Sequence, residues 1–103
     1  MITITGTVGT TGKYLVTGMP VTTATDAVLK IAFENLTAGT NLQLCAGTVA
    51  NFTAGVAGLQ LSDSGGPGFQ FLTIIDTNQL TGKVIYVLRA VGTANAQFTL
   101  SVE

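Results

Sequence analysis

The sequence predicts an all-β chain, a single antiparallel β-sandwich of jelly-roll or immunoglobulin-like type with about seven or eight strands spanning residues 1–103. Three observations carry this. Thr, Val, Ile, Phe and Tyr supply the strand-forming residues while 13 glycines interrupt them at short intervals. Several segments alternate apolar and polar residues with a period of two, as a half-buried strand must. And 103 residues fill one domain of ordinary size, too few for a second core.

Taken in order, Ile2 and Ile4 alternate with Thr3 and Thr5, and Gly9-Thr10-Thr11-Gly12 reads as a turn into Lys13-Tyr14-Leu15-Val16-Thr17. Gly18-Met19-Pro20 ends this second strand, because proline lacks the ladder N–H and restricts the residue before it. Ala27, Leu29, Ile31 and Phe33 then fall on one side, with Val28, Lys30, Ala32 and Glu34 on the other. The first set is expected to face the core. A helix capped by Thr25 or Asp26 competes, but Val, Ile and Phe so close together, followed by the turn Thr37-Ala38-Gly39-Thr40, favour a strand. In Asn41-Leu42-Gln43-Leu44-Cys45 the alternation sends Leu42 and Leu44 inward and leaves Cys45 beside Gln43.

Residues 46–68 are rich in Gly, Ala and Ser and read as loop, with one weak strand at Gly58-Leu59-Gln60-Leu61-Ser62. Phe69-Gln70-Phe71-Leu72-Thr73-Ile74-Ile75 and Lys83-Val84-Ile85-Tyr86-Val87-Leu88-Arg89-Ala90 are apolar on both faces, which is the pattern of strands covered on two sides. Between them lies the polar Asp76-Thr77-Asn78-Gln79. Phe98, Leu100 and Val102 alternate with polar residues in the final strand. With Tyr86 and Leu88 pointing inward, Ile85 and Val87 point out beside Arg89. Either Leu72 and Ile74 or Phe69 and Phe71 must also lie outside. Leu72, Ile74, Ile85, Val87, Val28 and Arg89 thus form the candidate interface, an apolar patch on the outside of the sandwich.

Composition narrows the chemistry. Charged residues are 9% of the chain, four basic against five acidic, where soluble proteins average about 25%. A nucleic-acid footprint or a polybasic membrane patch is not expected. No apolar run approaches the roughly 18 residues of a spanning helix, and Met1–Gly6 lacks the basic lead and apolar stretch of a signal peptide. There is no His, no Trp and one Cys, so imidazole-based catalysis, the common zinc sites and an internal disulfide are excluded. Cys45 has no sequence-adjacent base and reads as a packed thiol.

Asp63-Ser64-Gly65-Gly66-Pro67 matches the surroundings of a chymotrypsin-like serine nucleophile, yet without a histidine the hydroxyl has no base, and a surface turn is expected. Gly12-Lys13 is followed by Tyr14 rather than Ser or Thr, so no phosphate loop forms. The carboxylates are scattered; only Asp63 and Asp76 stand to meet in space as calcium ligands, and no cofactor is expected. The Asn35-Leu36-Thr37 and Asn51-Phe52-Thr53 triplets match the glycosylation pattern, which recurs by chance in a chain with 18 threonines.

Gly82-Lys83-Val84-Ile85-Tyr86-Val87-Leu88-Arg89-Ala90 followed by Phe98-Thr99-Leu100-Ser101-Val102 resembles the ending of bacterial prepeptidase C-terminal (PPC) domains. Tyr14-Leu15-Val16, Leu29-Lys30-Ile31 and Asn41-Leu42-Gln43-Leu44 stand in the order of that family's early strands. The resemblance implies a β-sandwich acting as an accessory, extracellular module that tethers an enzyme or surface protein to a polymer or glycan. Asn41 replaces the family's usual acidic residue and the acidic calcium-binding linker is lacking, so calcium and collagen binding are not carried over. In size and texture the chain also resembles the small decoration, or cement, proteins of tailed-phage capsids. That resemblance implies a non-enzymatic virion component, a homo-oligomer such as a trimer, which binds a capsid or other shell protein through an apolar face. This assembly role is the leading expectation, and the PPC-like module is its alternative.

Overall fold

The computed structural model describes residues 2–19, 28–93 and 95–103. In chain order the strands are β1 (Ile2–Val8), β2 (Lys13–Leu15), β3 (Val28–Asn35), β4 (Asn41–Gly47), β5 (Leu59–Ser64), β6 (Phe71–Asp76), β7 (Val84–Val91) and β8 (Ala96–Val102), with a short helix α1 (Val49–Ala54) between β4 and β5. Ala27, Pro20 and the helix alternative at Thr25 and Asp26 lie outside the described residues.

The strands form two four-stranded antiparallel sheets, ordered β1-β8-β3-β6 and β2-β7-β4-β5. First pairs with last, second with seventh, third with sixth and fourth with fifth. That is the pairing of one long hairpin rolled up on itself, the jelly roll, and it decides against the immunoglobulin-like order. All-β sandwich architecture is therefore as expected, and the weak strand near residues 58–62 is real, extending to Ser64.

Between the sheets lies a core of inward residues from β1, β3, β4, β6, β7 and β8: Val8, Leu29, Ile31, Phe33, Leu42, Leu44, Ile75, Ile85, Val87, Phe98, Leu100 and Val102, joined by Ala46 and Ala96. Period-two alternation in β3 and β8 produces this directly, since Leu29, Ile31 and Phe33, and Phe98, Leu100 and Val102, are all buried. The open side between β1 and β2 is closed by Tyr14, whose ring meets Phe98 edge-on at 5.3 Å. Gly6 makes room for this. A Cβ there would stand 2.7 Å from the Tyr14 ring and 2.9 Å from Phe98.

One inside-outside expectation is reversed. Ile85 and Val87, expected at the interface, are 2% and 0% exposed and belong to the main core. Tyr86 and Leu88 lie on the opposite face, in a second cluster with Cys45 that Phe52 and Val84 complete. A strand apolar on both faces gives no periodic signal as to which face is which. Hydrogen bonding breaks the tie: the Tyr86 hydroxyl donates to Val56 O at 2.6 Å and accepts from Gly58 N at 3.0 Å. Both partners belong to the loop that follows α1, on the outer side of the sheet.

Residues 46–68, expected to be mostly loop, hold the helix. It starts with a capping box in which the Thr48 hydroxyl accepts from Asn51 N at 3.1 Å while Asn51 Oδ1 accepts from Thr48 N at 3.0 Å. It stops at Gly55, whose left-handed φ of 72° suits a residue without Cβ. Phe52 then sits on Tyr86, ring centroids 5.5 Å apart, and Lys13 lies 5.3 Å from the centre of the Phe52 ring while donating to Thr53 O.

The Gly6 contacts give a clear test. Gly6→Ala should lower the urea midpoint by the equivalent of about 1–3 kcal/mol, the usual cost of overpacking, while the paired variant Gly6→Ala with Tyr14→Ala should lose less than the sum of the two single changes.

Candidate functional site

Sheet geometry sorts every outward residue. On the β1-β8-β3-β6 sheet, β1 sends out Thr3, Thr5 and Thr7, which stand in register with Ser101, Thr99 and Gln97 of β8. This half of the face carries hydroxyls and an amide. The other half differs: β3 sends out Val28, Lys30, Ala32 and Glu34, and β6 sends out Leu72 and Ile74, with Ala32 opposite Leu72 and Lys30 opposite Ile74. Val28, Leu72 and Ile74 are 56%, 67% and 64% exposed. Large aliphatics on a solvent-facing strand are ordinary singly, but three on two adjacent strands make a patch.

Beside them lies a hollow of about 400 Å³ lined by Lys30, Ala32, Gln70, Leu72, Ser101 and Glu103. Its charged residues are placed by the backbone, since Lys30 and Glu103 exchange N–H to carbonyl bonds at 3.5 and 3.0 Å. Sequence reasoning misses this grouping, because it depends on a pairing between residues more than seventy positions apart.

Of the six residues expected to share an interface, the structure places Val28, Leu72 and Ile74 together on this exposed face. Ile85 and Val87 are interior, as above. Arg89 stands on the other sheet, where its guanidinium donates to Gly9 O at 2.8 Å and Gly92 O at 3.0 Å, tying the β1–β2 turn to the end of β7. Phe71, opposite the buried Phe33, is on the inward-facing side of β6, yet it and Phe69 are exposed at the rim where the strand begins.

The serine-protease-like pentapeptide has a structural use. Ser64 is the buried end of β5 rather than part of a surface turn, and its hydroxyl accepts from Asn35 N at 3.0 Å. Asn35, fully buried, donates through Nδ2 to Thr40 O and to Thr40 Oγ1 at 3.0 and 2.9 Å, and its Oδ1 accepts from Thr37 N. The first glycosylation triplet therefore serves a buried knot joining the β3–β4 turn to β5.

Cys45 is buried, and its thiol is pushed up to about 11, first by desolvation and then by the Asp63 carboxylate. It stays protonated and unreactive at neutral pH. Among the described residues, no three His, Cys, Asp or Glu side chains converge as metal ligands, and no helix is long and apolar enough to cross a membrane. No family model, curated protein or solved structure matches the chain.

Two measurements check these assignments. Asn35→Ala leaves the groups of the buried knot unpaired, and equilibrium denaturation should register a loss of about 1–3 kcal/mol. The raised thiol value has a measurable sign as well. With the thiol moved from 9.0 to about 11, the folded state holds its proton longer than the unfolded chain, so the contribution is complete below pH 9.0 and is lost as pH rises through about 11. Wild type should lose at most about 2 kcal/mol across that window, less to the extent that solvent screens the thiolate, and Cys45→Ala should lose correspondingly less; parallel slopes in pH-dependent urea melts would refute the assignment.

Proposed function

We propose that this chain is a non-enzymatic assembly protein that docks through the β3–β6 half of its outer sheet face, and that its setting is a virion, as a small decoration component seated on shell subunits and associating with itself. One observation carries the reading: Val28, Leu72 and Ile74 stand exposed side by side on adjacent strands, beside a sheet edge that no described strand covers. Three features agree with it. Few charges surround the patch, only Lys30, Glu34, Asp76 and Glu103 among the outward positions of these strands and the tail that pairs with them. The neighbouring hydroxyl rows of β1 and β8 give a neutral rim. Jelly rolls recur in capsid proteins, an analogy of fold and not of site.

Magnitude sets what the partner must supply. Fully burying a Val, Leu or Ile side chain contributes about 1.5–3 kcal/mol, and three of them reach only the lower part of the roughly 4–15 kcal/mol that association costs. The patch alone makes a weak contact. A repeated shell, or pairing of the bare strand edge, would make it a firm one.

Sedimentation velocity across a dilution series is the direct test. The wild type should associate in a concentration-dependent way at micromolar levels, and Ile74→Lys should be monomeric with its thermal midpoint within a few degrees of wild type. A wild-type chain that remains a monomer throughout, and is captured by a glycan or collagen surface instead, would overturn this reading in favour of the PPC-like tethering module.

A further inference from the structure

We infer that the self-association proposed above is a two-fold, antiparallel pairing of the β6 edges of two copies, centred on Thr73, which joins the two outer sheets into one continuous sheet. The inference rests on the assembly reading and adds to it the partner and the register.

The first step is hydrogen-bond parity. Lys30 and Glu103 exchange both backbone bonds, so the even-numbered residues of β3 point their N–H and C=O groups toward β8. The odd-numbered residues Leu29, Ile31 and Phe33 therefore point theirs toward β6, where they meet Ile75, Thr73 and Phe71. It follows that Leu72, Ile74 and Asp76 aim their backbone groups away from the sheet, at the open edge. These are the same residues whose side chains lie on the outer face. Thr73 is held by the other sheet, its hydroxyl donating to Leu61 O at 2.9 Å.

Next, the edge is protected only at its end. β6 contains no proline and no glycine, its one charge is Asp76 at the last position, and it pairs with β3 without a bulge. Natural edges are ordinarily blunted by at least one such device. The other three edge strands differ: β2 is three residues long, β5 faces a register shift in β4, and β1 turns threonines outward.

Finally, the strand is complementary to itself in one register. With Thr73 opposite Thr73 of a second copy, Leu72 meets Ile74 in an N–H/C=O exchanging pair, twice by symmetry, and Gln70 meets Asp76, an amide beside a carboxylate. Sliding by two residues one way sets Leu72 against Asp76; sliding the other way sets Ile74 against Gln70. Only the Thr73-centred register puts aliphatic on aliphatic and polar on polar throughout. A two-fold contact is isologous and closes with two copies, which differs from the trimer expected by analogy with decoration proteins.

The test uses cysteine cross-linking in the full chain. Leu72→Cys and Ile74→Cys change exposed side chains, and the buried native Cys45 is distinguished by peptide mapping. In the inferred register these two positions face each other at a Cα separation of about 5.5 Å, within disulfide reach. Mild oxidation of an equimolar mixture should give a dimer in which the thiol introduced by Leu72→Cys on one copy is linked to the thiol introduced by Ile74→Cys on the other. Neither variant alone should dimerise covalently at a comparable rate. Self-linking of Leu72→Cys or of Ile74→Cys would overturn the register. No linkage in the mixture, while sedimentation of the same samples shows oligomers, would overturn β6 pairing and leave the assembly reading standing; monomers in sedimentation would remove both.

Discussion

A two-sheet sandwich has four faces and only two of them meet. Every large apolar side chain on an outer face must therefore be covered by something other than the opposing sheet or remain in water. Most of what is distinctive here follows from how that constraint is met on one side and left unmet on the other. The β2-β7-β4-β5 sheet carries Tyr86, Leu88 and Cys45 outward, and the helix and loop between β4 and β5 lie across them. Phe52 supplies the apolar cover, and Val56 and Gly58 supply the hydrogen bonds that the Tyr86 hydroxyl needs once it leaves water. The β1-β8-β3-β6 sheet receives no such cover among the described residues. Its β1 and β8 half needs none, because threonine, serine and glutamine face out. Its β3 and β6 half shows Val28, Leu72 and Ile74 instead.

This contrast explains which parts of the molecule are legible in the sequence. β3 and β8 are readable because one of their faces is large and apolar throughout while the other is broken by polar residues, so the period of two names the buried side as well as the strand. β7 is readable only as a strand. With Ile85, Tyr86, Val87 and Leu88 in a row, alternation is silent about direction, and pointing Tyr86 and Leu88 inward reverses the assignment. The physical discriminator is the phenolic hydroxyl, which makes Tyr86 less favourable than valine in an apolar interior that offers it no hydrogen-bond partner. The helix lies within reach of a closer reading, since Thr48 three residues before Asn51, with Gly55 beyond, carries both its caps. Glycines and alanines on either side obscure it. What no local pattern supplies is strand order, and with it the grouping of Lys30, Gln70, Leu72 and Glu103 around one hollow.

The polar interior follows similar logic on a smaller scale. From sequence, Asn35 heads a triplet that matches the glycosylation pattern by chance and Ser64 belongs to an expected surface turn. Each is instead buried where the chain turns between strands that belong to different sheets and the backbone ladder must end. Main-chain groups freed at such a corner require partners, and short polar side chains with donors and acceptors together are what can reach them. A motif composed of turn-favouring residues is accordingly weak testimony for chemistry in an all-β chain. The same residues satisfy corners.

Side-chain direction and hydrogen-bond direction alternate together along a strand, so on β6 the residues that expose aliphatic groups to the outer face are also the ones that aim free N–H and C=O groups at the edge. Leu72 and Ile74 do both. Docking on the face and pairing at the edge are then not independent options that a single substitution could adjust separately. A partner that extends the sheet also brings its own Leu72 and Ile74 beside the first pair, and the apolar surface shared across the seam adds to the ladder bonds. Neither contribution is large alone: a short edge offers few hydrogen bonds, each worth about 0.5–1.5 kcal/mol net, and three aliphatics scarcely meet the cost of association. In the proposed pairing, their placement on the same two residues lets one short segment specify both the strand that pairs and the register in which it does so.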